Sequence, residues 1–413
     1  MRLLVLTHTF PPSTHANAKR PFYIVRACLE AGWQVDVVTS PLGLAEPSPE
    51  CLAHPALRVL RLDDPLGRLL RRSRANPALF RLLALAAAGL LWPDTSRGWA
   101  QKALRIAVQQ GRYDRSLAFI LPASLLLSGR VPGLVNSTWT FDYQEPVTPQ
   151  QRRLRRRSPL QRVGLPRLAA LERQTLARAG CVVFTAETNR QAYIAEGLVN
   201  PNATAHIPYF FDAAAFAGPA VTVRPDFEIV YFGTFDWRGA RSPETFLRAL
   251  AGFLAQTPEA RARTRFIFYG TWLPDHTRLL DELRLRDVVA LHPPLAYADY
   301  LRALRESQVL LLVVASAHAL FMPSKIVDYF GAGRPILAFV PRQSEMRHVL
   351  DQAGMAEFAC DEGDVAGGVA ALTRLWARYQ ANTLTGGGER VGFWSSATQL
   401  PRYLEVLRAG KAG

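Results

Sequence analysis

Short runs of hydrophobic residues alternate with amphipathic segments along most of the chain. Within the first 40 residues, an apolar run at 3–6 is followed by a proline-containing loop, a segment of helical periodicity at 21–33 and a second apolar run within 34–40. Continuous apolar runs separated by helical patterns are typical of parallel sheets covered by helices, because such strands are buried on both faces. The opening segment is therefore predicted to form a βαβ unit.

The same alternation continues in two series, and a chain of 413 residues is long enough for two domains. Further strands are predicted at 116–121, 133–139, 181–186, 205–211, 228–235, 265–270, 288–292 and 309–314, and further helices at 165–180, 243–257, 276–286, 297–307 and 401–410. A polar linker is predicted at 218–225. The predicted fold class is α/β, with doubly wound parallel-sheet domains at 1–217 and 218–385. Residues 386–413 are expected to form a C-terminal helix that packs back on the N-terminal domain.

The cysteines and the apolar stretches indicate in which cellular compartment the protein is expected. Four cysteines without paired spacing argue against a disulfide framework or a zinc site and favour a reducing cytosol. The run at 3–6 is too short for a secretory signal, and the stretch at 79–92 falls short of the roughly 20 residues that span a bilayer. We therefore expect a cytoplasmic protein without a transmembrane helix.

Positive charge is concentrated in the first half of the chain. Residues 1–217 hold 27 Lys and Arg against 14 Asp and Glu, whereas residues 218–413 hold 22 against 20. Basic clusters at 68–74 and 152–157, the first close to the apolar stretch at 79–92, predict peripheral contact with an anionic membrane surface. The alternative is a buried helix at 79–92 with solvated arginines. Nucleic acid is not expected, because no basic groove studded with aromatic residues is evident.

The segment 321–337, FMPSKIVDYFGAGRPIL, carries the clearest candidate chemistry. It follows a predicted strand, and ligands of open parallel sheets bind at the carboxyl ends of the strands. Pro323 suits a first helical turn, where Ser324 offers a hydroxyl, Lys325 a positive charge and the backbone its free N–H groups. Asp328 lies on the same helix face as Lys325 and can accept hydrogen bonds from a ribose. The pattern predicts a nucleotide site; the alternative is an ordinary surface pair of Lys325 and Asp328.

The segment also resembles the PxK…E-Y-x-x-x-G-x-P-I-L region of the retaining GT-B glycosyltransferases of family 4, or group 1. Residues 1–40, the stretch LERQTLARAGCVVFTAET at 171–188 and the stretch IVYFGTFDWRGARSPETFLRAL at 229–250 resemble other parts of that family in the same order. The resemblance implies two Rossmann-like domains facing a central cleft. It implies transfer of a sugar, with retention, from a nucleotide-sugar co-substrate to a glycan or lipid-linked acceptor in polysaccharide or glycolipid biosynthesis. No other cofactor is implied.

The resemblance places the donor site in the second domain. Lys325 matches the lysine near the donor diphosphate, and Asp328 takes the place of the second glutamate of a paired-glutamate motif. The first glutamate is absent, because its position holds Leu320. Ser316 and His318 are the polar residues nearby.

Two loops supply the remaining predicted contacts. In the family an arginine often follows the glycine of the first donor-domain turn; here Thr234 follows Gly233, and Arg238 and Arg241 are the candidate cations. The alternative for both arginines is a solvated loop. The first loop of the chain lacks the paired glycines of the family and offers Asn17 and Lys19, with Arg20, at the next helix start. There too the alternative is structural, with Asn17 as the N-cap and the basic pair exposed.

Asp142, with Asn136 and Trp139 as neighbours, is the predicted catalytic residue of the first domain, in a loop after a strand. No Asp-x-Asp pair occurs, so no metal is expected. Two other functions stay open. A nucleotide-sugar 2-epimerase of the same fold needs several carboxylates and a histidine around the sugar. A non-catalytic polyanion-binding protein would use the basic face of the first domain.

Overall fold

The computed structural model describes residues 1–13, 15–41, 50–64, 69, 76, 92–109, 113–136, 138–153, 159–218, 223–235, 241–388 and 390–410. The chain divides into two compact units. The first unit comprises residues 1–208 together with 400–413, and the second comprises residues 209–399. None of the described helices has the length and apolar character needed to cross a membrane.

The first unit is built on a parallel sheet of seven strands in the order β3-β2-β1-β4-β5-β6-β7. The strands are β1 (Arg2–Leu6), β2 (Gln34–Thr39), β3 (Leu57–Arg61), β4 (Arg115–Phe119), β5 (Trp139–Tyr143), β6 (Cys181–Phe184) and β7 (Thr204–His206). Among the described residues of this part of the chain, the α-helices are α1 (Lys19–Glu30), α2 (Arg97–Gln109), α3 (Thr148–Arg153), α4 (Pro159–Leu176) and α5 (Glu187–Ala195).

The second unit has a parallel sheet of six strands in the order β10-β9-β8-β11-β12-β13. The strands are β8 (Phe227–Thr234), β9 (Thr264–Thr271), β10 (Val289–His292), β11 (Val309–Val313), β12 (Ile336–Phe339) and β13 (Ala359–Cys360). The helices are α6 (Ala213–Phe216), α7 (Glu244–Gln256), α8 (Pro274–Glu282), α9 (Tyr297–Glu306), α10 (Lys325–Ala332), α11 (Glu345–Ala353) and α12 (Val365–Gln380). The last helix of the chain, α13 (Ser396–Ala409), contributes its residues from 400 onward to the first unit.

Both sheets wind outward from a central strand, which confirms the predicted α/β class with two doubly wound parallel sheets. Strand β1 illustrates why its sequence is apolar throughout. Leu4 and Leu6 pack into the core that includes residues of α2, whereas Leu3 and Val5 pack into the core on the other face, which includes residues of α1 and α13. A side chain of this size stabilises the fold by about 1.5–3 kcal/mol when it is fully buried.

One predicted strand is wrong in its position. Residues 133–139 were expected to be extended, but the Asn136 side chain accepts hydrogen bonds from the backbone N–H and the hydroxyl of Thr138, at 2.9 and 2.7 Å. This local turn competes with strand pairing, as asparagine side chains often do. Strand β5 therefore begins at Trp139. Consequently Asp142 lies inside a strand and not in the loop where the sequence placed it.

The helix of segment 321–337 forms as predicted and ends at the predicted glycine. Gly333 is the C-cap of α10 with a φ of +62°, a left-handed conformation that glycine adopts without a Cβ penalty. Gly331 lets the helix approach α6, because a Cβ there would lie 2.5 Å from the ring of Phe216. These two glycines allow α10 to end at Gly333 and to pack closely against α6.

Candidate functional site

Lys325 lies at the carboxyl end of β8, the central strand of the second unit. Its Nζ donates a hydrogen bond to the Phe232 carbonyl at 3.0 Å and stands 3.8 Å from the centroid of the Tyr231 ring. A carbonyl and a ring face are partial negative charges, so they orient the ammonium group without neutralising it. Lys325 is the first residue of α10, where free backbone N–H groups add a positive dipole end.

Arg241 brings a second positive charge to Lys325. Burial lowers the pKa of Lys325 well below its ordinary value, and the nearby Arg241 charge lowers that pKa further. No carboxylate among the described residues forms an ion pair with Lys325 or Arg241. Two cations held together without a counter-charge are costly, and an anion that binds between them removes that cost.

Two glycines in register lie near the carboxyl ends of β8 and β9, beside Lys325. Gly233 pairs with Gly270 across β8 and β9, and a Cβ at Gly270 would lie 1.7 Å from the Gly233 carbonyl oxygen. A Cβ at Gly233 would approach Lys325 Nζ to 3.7 Å, and Gly233 has a φ of +126°. Thr234, the last residue of β8, is exposed. The glycines thus let the two strands come close and keep side chains away from the Lys325 ammonium group.

Asp328, one helical turn after Lys325, is buried and accepts a hydrogen bond from the Tyr300 hydroxyl at 3.0 Å. Burial and the Asp328 charge raise the pKa of Tyr300 well above its ordinary value, so the tyrosine stays a donor. The sequence did not identify Tyr300, because it belongs to α9 and lies 28 residues before Asp328.

A row of aromatic rings continues from Tyr300 along the carboxyl ends of neighbouring strands. Phe232 lies edge-on to Tyr300 at 4.9 Å between centroids and stacks on Tyr269 at 5.3 Å. Tyr269 in turn stacks on His292 of β10 at 5.1 Å. Exposed rings such as those of His292 and Tyr297 can stack on another planar ring. This row of rings was not predicted from the sequence. The signal that could have revealed it is the recurrence of aromatic residues near the ends of neighbouring strands.

The loop before α10 contains the other predicted residues. Ser316 is held by Glu362, whose carboxylate accepts from the Ser316 backbone N–H at 2.6 Å and from its hydroxyl at 2.5 Å. His318 is half-buried and lies edge-on to Phe321 at 4.9 Å. Leu320, at the position of the missing glutamate, is buried. Ser324 precedes α10 as its N-cap residue without a side-chain capping hydrogen bond, which leaves its hydroxyl uncommitted to the helix end.

The structure therefore brings Gly233, Thr234, Arg241, Ser324, Lys325 and Asp328 together in the second unit, around the end of β8 and the start of α10. Arg238 lies outside the described residues. No group of three or more His, Cys, Asp or Glu side chains arranged to hold a metal occurs among the residues that the structure describes.

Asp142 does not have the role that the sequence suggested. It is fully buried, and the Arg20 guanidinium binds it through Nε at 3.0 and 3.1 Å and through Nη2 at 2.8 Å. The Tyr403 hydroxyl donates to the same carboxylate at 2.8 Å. A carboxylate without exposed atoms cannot contact a substrate, so its assignment as catalytic is corrected to a structural one.

Arg20 links Asp142 to the end of the first unit's sheet. Its Nη1 donates to the Pro208 carbonyl at 2.8 Å and its Nη2 to the Ile207 carbonyl at 2.9 Å. Lys19 begins α1 and is half-buried, and Asn17 is half-buried in a short 3-10 helix capped by His15. The alternative with an exposed basic pair and Asn17 as the N-cap is therefore wrong for Arg20 and for the cap.

The first unit also contains a polar cluster that the sequence did not predict. His8 Nε2 lies 3.1 Å from Asp64 Oδ2, and the Ser96 hydroxyl donates to the same oxygen at 3.3 Å. The edge of the His8 ring meets Trp99 at 4.9 Å between centroids. His8 and Asp64 follow β1 and β3, so this cluster lies at the carboxyl edge of the first sheet.

These features have the arrangement of GT-B glycosyltransferases, whose fold consists of two such parallel-sheet units. No family model and no curated protein matches the chain. Solved structures match over nearly the whole chain. Sucrose-phosphate synthase (tll1590) from Thermosynechococcus elongatus matches at a TM-score of 0.67 and 17% identity, covering 98% of both chains.

An alpha,alpha-trehalose-phosphate synthase (UDP-forming) from Burkholderia xenovorans, in complex with glucose-6-phosphate, matches at a TM-score of 0.64 and 14% identity, covering 99% of this chain and 100% of that one. A structure described as trehalose-6-phosphate from E. coli bound with UDP-2-fluoro glucose matches at a TM-score of 0.61 and 15% identity, covering 99% of both chains. At these identities the likeness shows the GT-B fold. It does not single out family 4, which stays a prediction.

Proposed function

We propose that the protein is a glycosyltransferase that uses a nucleotide-sugar donor bound by its second unit. The observation that carries the proposal is the pair of Lys325 and Arg241, two cations without a carboxylate partner among the described residues, at the carboxyl end of a central parallel strand. A diphosphate has the charge that this pair requires. The N-terminus of α10 adds backbone N–H donors on the same side.

The neighbouring groups fit the rest of a nucleotide. Asp328 would accept a hydrogen bond from a ribose hydroxyl while Tyr300 holds it in place. The rings of His292 and Tyr297 offer faces for the base. Thr234 and Ser324 would donate hydroxyl hydrogen bonds to phosphate oxygens. This assignment keeps the predicted donor contacts together on the second unit.

In the proposed reaction the bond between the anomeric carbon and the diphosphate oxygen breaks, and its electron pair leaves with the nucleoside diphosphate. A hydroxyl of the acceptor forms the new bond to the anomeric carbon on the same face, and its proton passes to the departing phosphate. Fixed cations at the departing oxygens stabilise the charge that develops there. We assign this role to Lys325 and Arg241, and the proposed reaction needs no metal ion.

For the acceptor we propose a glycan or a lipid-linked sugar, in polysaccharide or glycolipid biosynthesis at the cytoplasmic side of a membrane. The family 4 resemblance and the basic first half of the chain support this choice. A sugar phosphate is the second acceptor class, because the Burkholderia xenovorans protein was solved in complex with glucose-6-phosphate.

Thermal unfolding with UDP, GDP, ADP and a single-stranded oligonucleotide tests the proposal. We expect one nucleoside diphosphate to raise the melting temperature in the wild type and not in Lys325→Met, since a ligand that binds the folded state stabilises it. Stabilisation by the oligonucleotide alone would favour the polyanion-binding alternative. A transfer screen over nucleotide-sugars with membrane extract and glucose-6-phosphate then identifies the acceptor. Interconversion of the donor without an acceptor would instead indicate the 2-epimerase.

A further inference from the structure

A groove of about 410 Å³ in the first unit is lined by α2 and by residues of the segment 127–131. Its floor is apolar, with Leu104 and Leu127 buried and Val108 56% exposed. Three arginines, Arg97, Arg105 and Arg130, line the same groove. Arg97, Leu104, Arg105 and Val108 recur at helical spacing, so one stripe of α2 supplies both the apolar floor and two of the charges.

No carboxylate among the described residues pairs with these three arginines. Arg97 donates to the Trp92 carbonyl at 3.4 Å, and the Arg130 guanidinium stands 5.0 Å from the centroid of the Trp92 ring. Exposed arginines of the second unit differ, because Arg278, Arg286 and Arg302 each pair with an aspartate within three to five residues. The groove therefore keeps three uncompensated charges beside an exposed apolar side chain.

We propose that this groove seats the first unit on a bilayer that contains anionic phospholipid. Guanidinium groups bind phosphate through parallel hydrogen bonds, and they carry less hydration than an ammonium group. The apolar floor beside them fits the acyl region that continues from a lipid phosphate, with Val108 at the contact. The excess of basic residues in the first half of the chain attracts such a surface over a longer range.

Vesicle flotation tests the groove with the full chain. The probes are vesicles of phosphatidylcholine alone and vesicles of phosphatidylcholine with about 30% phosphatidylglycerol, each at low and at high salt. We expect binding to the anionic vesicles at low salt. Replacing each groove arginine by glutamine weakens that binding about fivefold, and the triple variant R97Q/R105Q/R130Q about a hundredfold. Val108→Ser should weaken binding a few-fold without a change in charge.

A matched control separates the groove from net charge. The triple variant R278Q/R286Q/R302Q removes the same charge from exposed sites of the second unit and is expected to bind vesicles like the wild type. Both triple variants should keep the thermal shift with nucleoside diphosphate, so the test is independent of the proposed donor site. Equal binding by wild type and groove variant, equal losses in the two triple variants, or no binding of the wild type to anionic vesicles would each overturn the proposal.

Discussion

Arg20 and Lys325 are cations at the start of helices in the two units, and their surroundings differ in one respect. Arg20, at the second residue of α1, is buried against the carboxylate of Asp142 and two carbonyl groups. Lys325, at the first residue of α10, meets a carbonyl and a ring, and the charge that shifts its pKa is that of another cation, Arg241. The compensated cation serves the architecture of its unit. Lys325 has no carboxylate partner among the described residues, and it lies where we propose that an anion binds.

The largest expected effect is a loss of folding stability when the buried ion pair of Arg20 and Asp142 is broken. Replacing Asp142 by alanine leaves the Arg20 guanidinium buried without its partner, which typically costs about 3–5 kcal/mol of folding free energy. We expect urea denaturation to show a loss of this size. The control is Glu30→Ala, whose ion pair with Arg26 is largely exposed and should cost about 1 kcal/mol or less. Equal losses in the two variants would contradict the structural role given to Asp142.

Lys325→Met is expected to have the opposite effect, with little loss of stability and a large loss of nucleotide affinity. The variant keeps the length of the side chain and removes a charge whose pKa burial and Arg241 already depress. We expect the free energy of unfolding without ligand to stay within about 1 kcal/mol of the wild type. Affinity for the nucleoside diphosphate should fall about 10- to 100-fold, the range for losing a hydrogen bond to a charged group. A large loss of stability with unchanged affinity would show that Lys325 is a structural residue.

The depressed pKa of Lys325 also predicts a pH dependence. The unfolded chain binds this proton more tightly than the folded protein, so the stability of the wild type relative to Lys325→Met should rise with pH. The rise should occur between the lowered pKa and the ordinary lysine value near 10.4. A bound diphosphate favours the charged lysine, so its affinity should fall as the pH rises through the same window. Urea denaturation and calorimetry at several pH values measure the two trends.

Tyr300→Phe is expected to have the smallest effect. It removes the hydroxyl that donates to Asp328 and leaves the ring in the aromatic row. We expect a loss of about 0.5–1.5 kcal/mol in stability and a nucleotide affinity reduced a few-fold. The matched control is Tyr297→Phe, which removes the hydroxyl of an exposed tyrosine in the same helix. Equal changes of stability and nucleotide affinity in the two variants would contradict the placement of Asp328 in the nucleotide site.

The sequence predicted the features that depend on local pattern. The strands of continuous apolar residues, the helix after Pro323 and its end at Gly333 all follow from periodicity and from the backbone preferences of proline and glycine. These elements also place Lys325 and Asp328 on one helix at a strand end. The identity of that helix as a phosphate-binding element rested on the family resemblance, since a lysine and an aspartate at this spacing are common.

The sequence could not predict the partners of the charged residues. Arg20 and Asp142 are 122 residues apart, so no local pattern relates them, and the turn at Asn136 shifted the strand that carries Asp142. The approach of Arg241 to Lys325 likewise depends on how β8 and β11 pair in the sheet. Tertiary contacts decide whether a cation has a carboxylate partner. The presence of that partner distinguishes the structural pair of Arg20 and Asp142 from the candidate site around Lys325.

Isothermal titration of the wild type and of Lys325→Met with UDP, GDP and ADP tests the central claim most directly. Carried out at several pH values in two buffers of different ionisation heat, it reports both the affinity and the protons taken up. We predict that one of the three nucleotides binds the wild type, and that Lys325→Met binds it about 10- to 100-fold more weakly. Between the lowered pKa of Lys325 and the ordinary lysine value, binding by the wild type should take up protons, and Lys325→Met should lose this uptake. Absence of binding by all three, or equal binding by the variant, would contradict the claim that these unpaired cations hold a diphosphate.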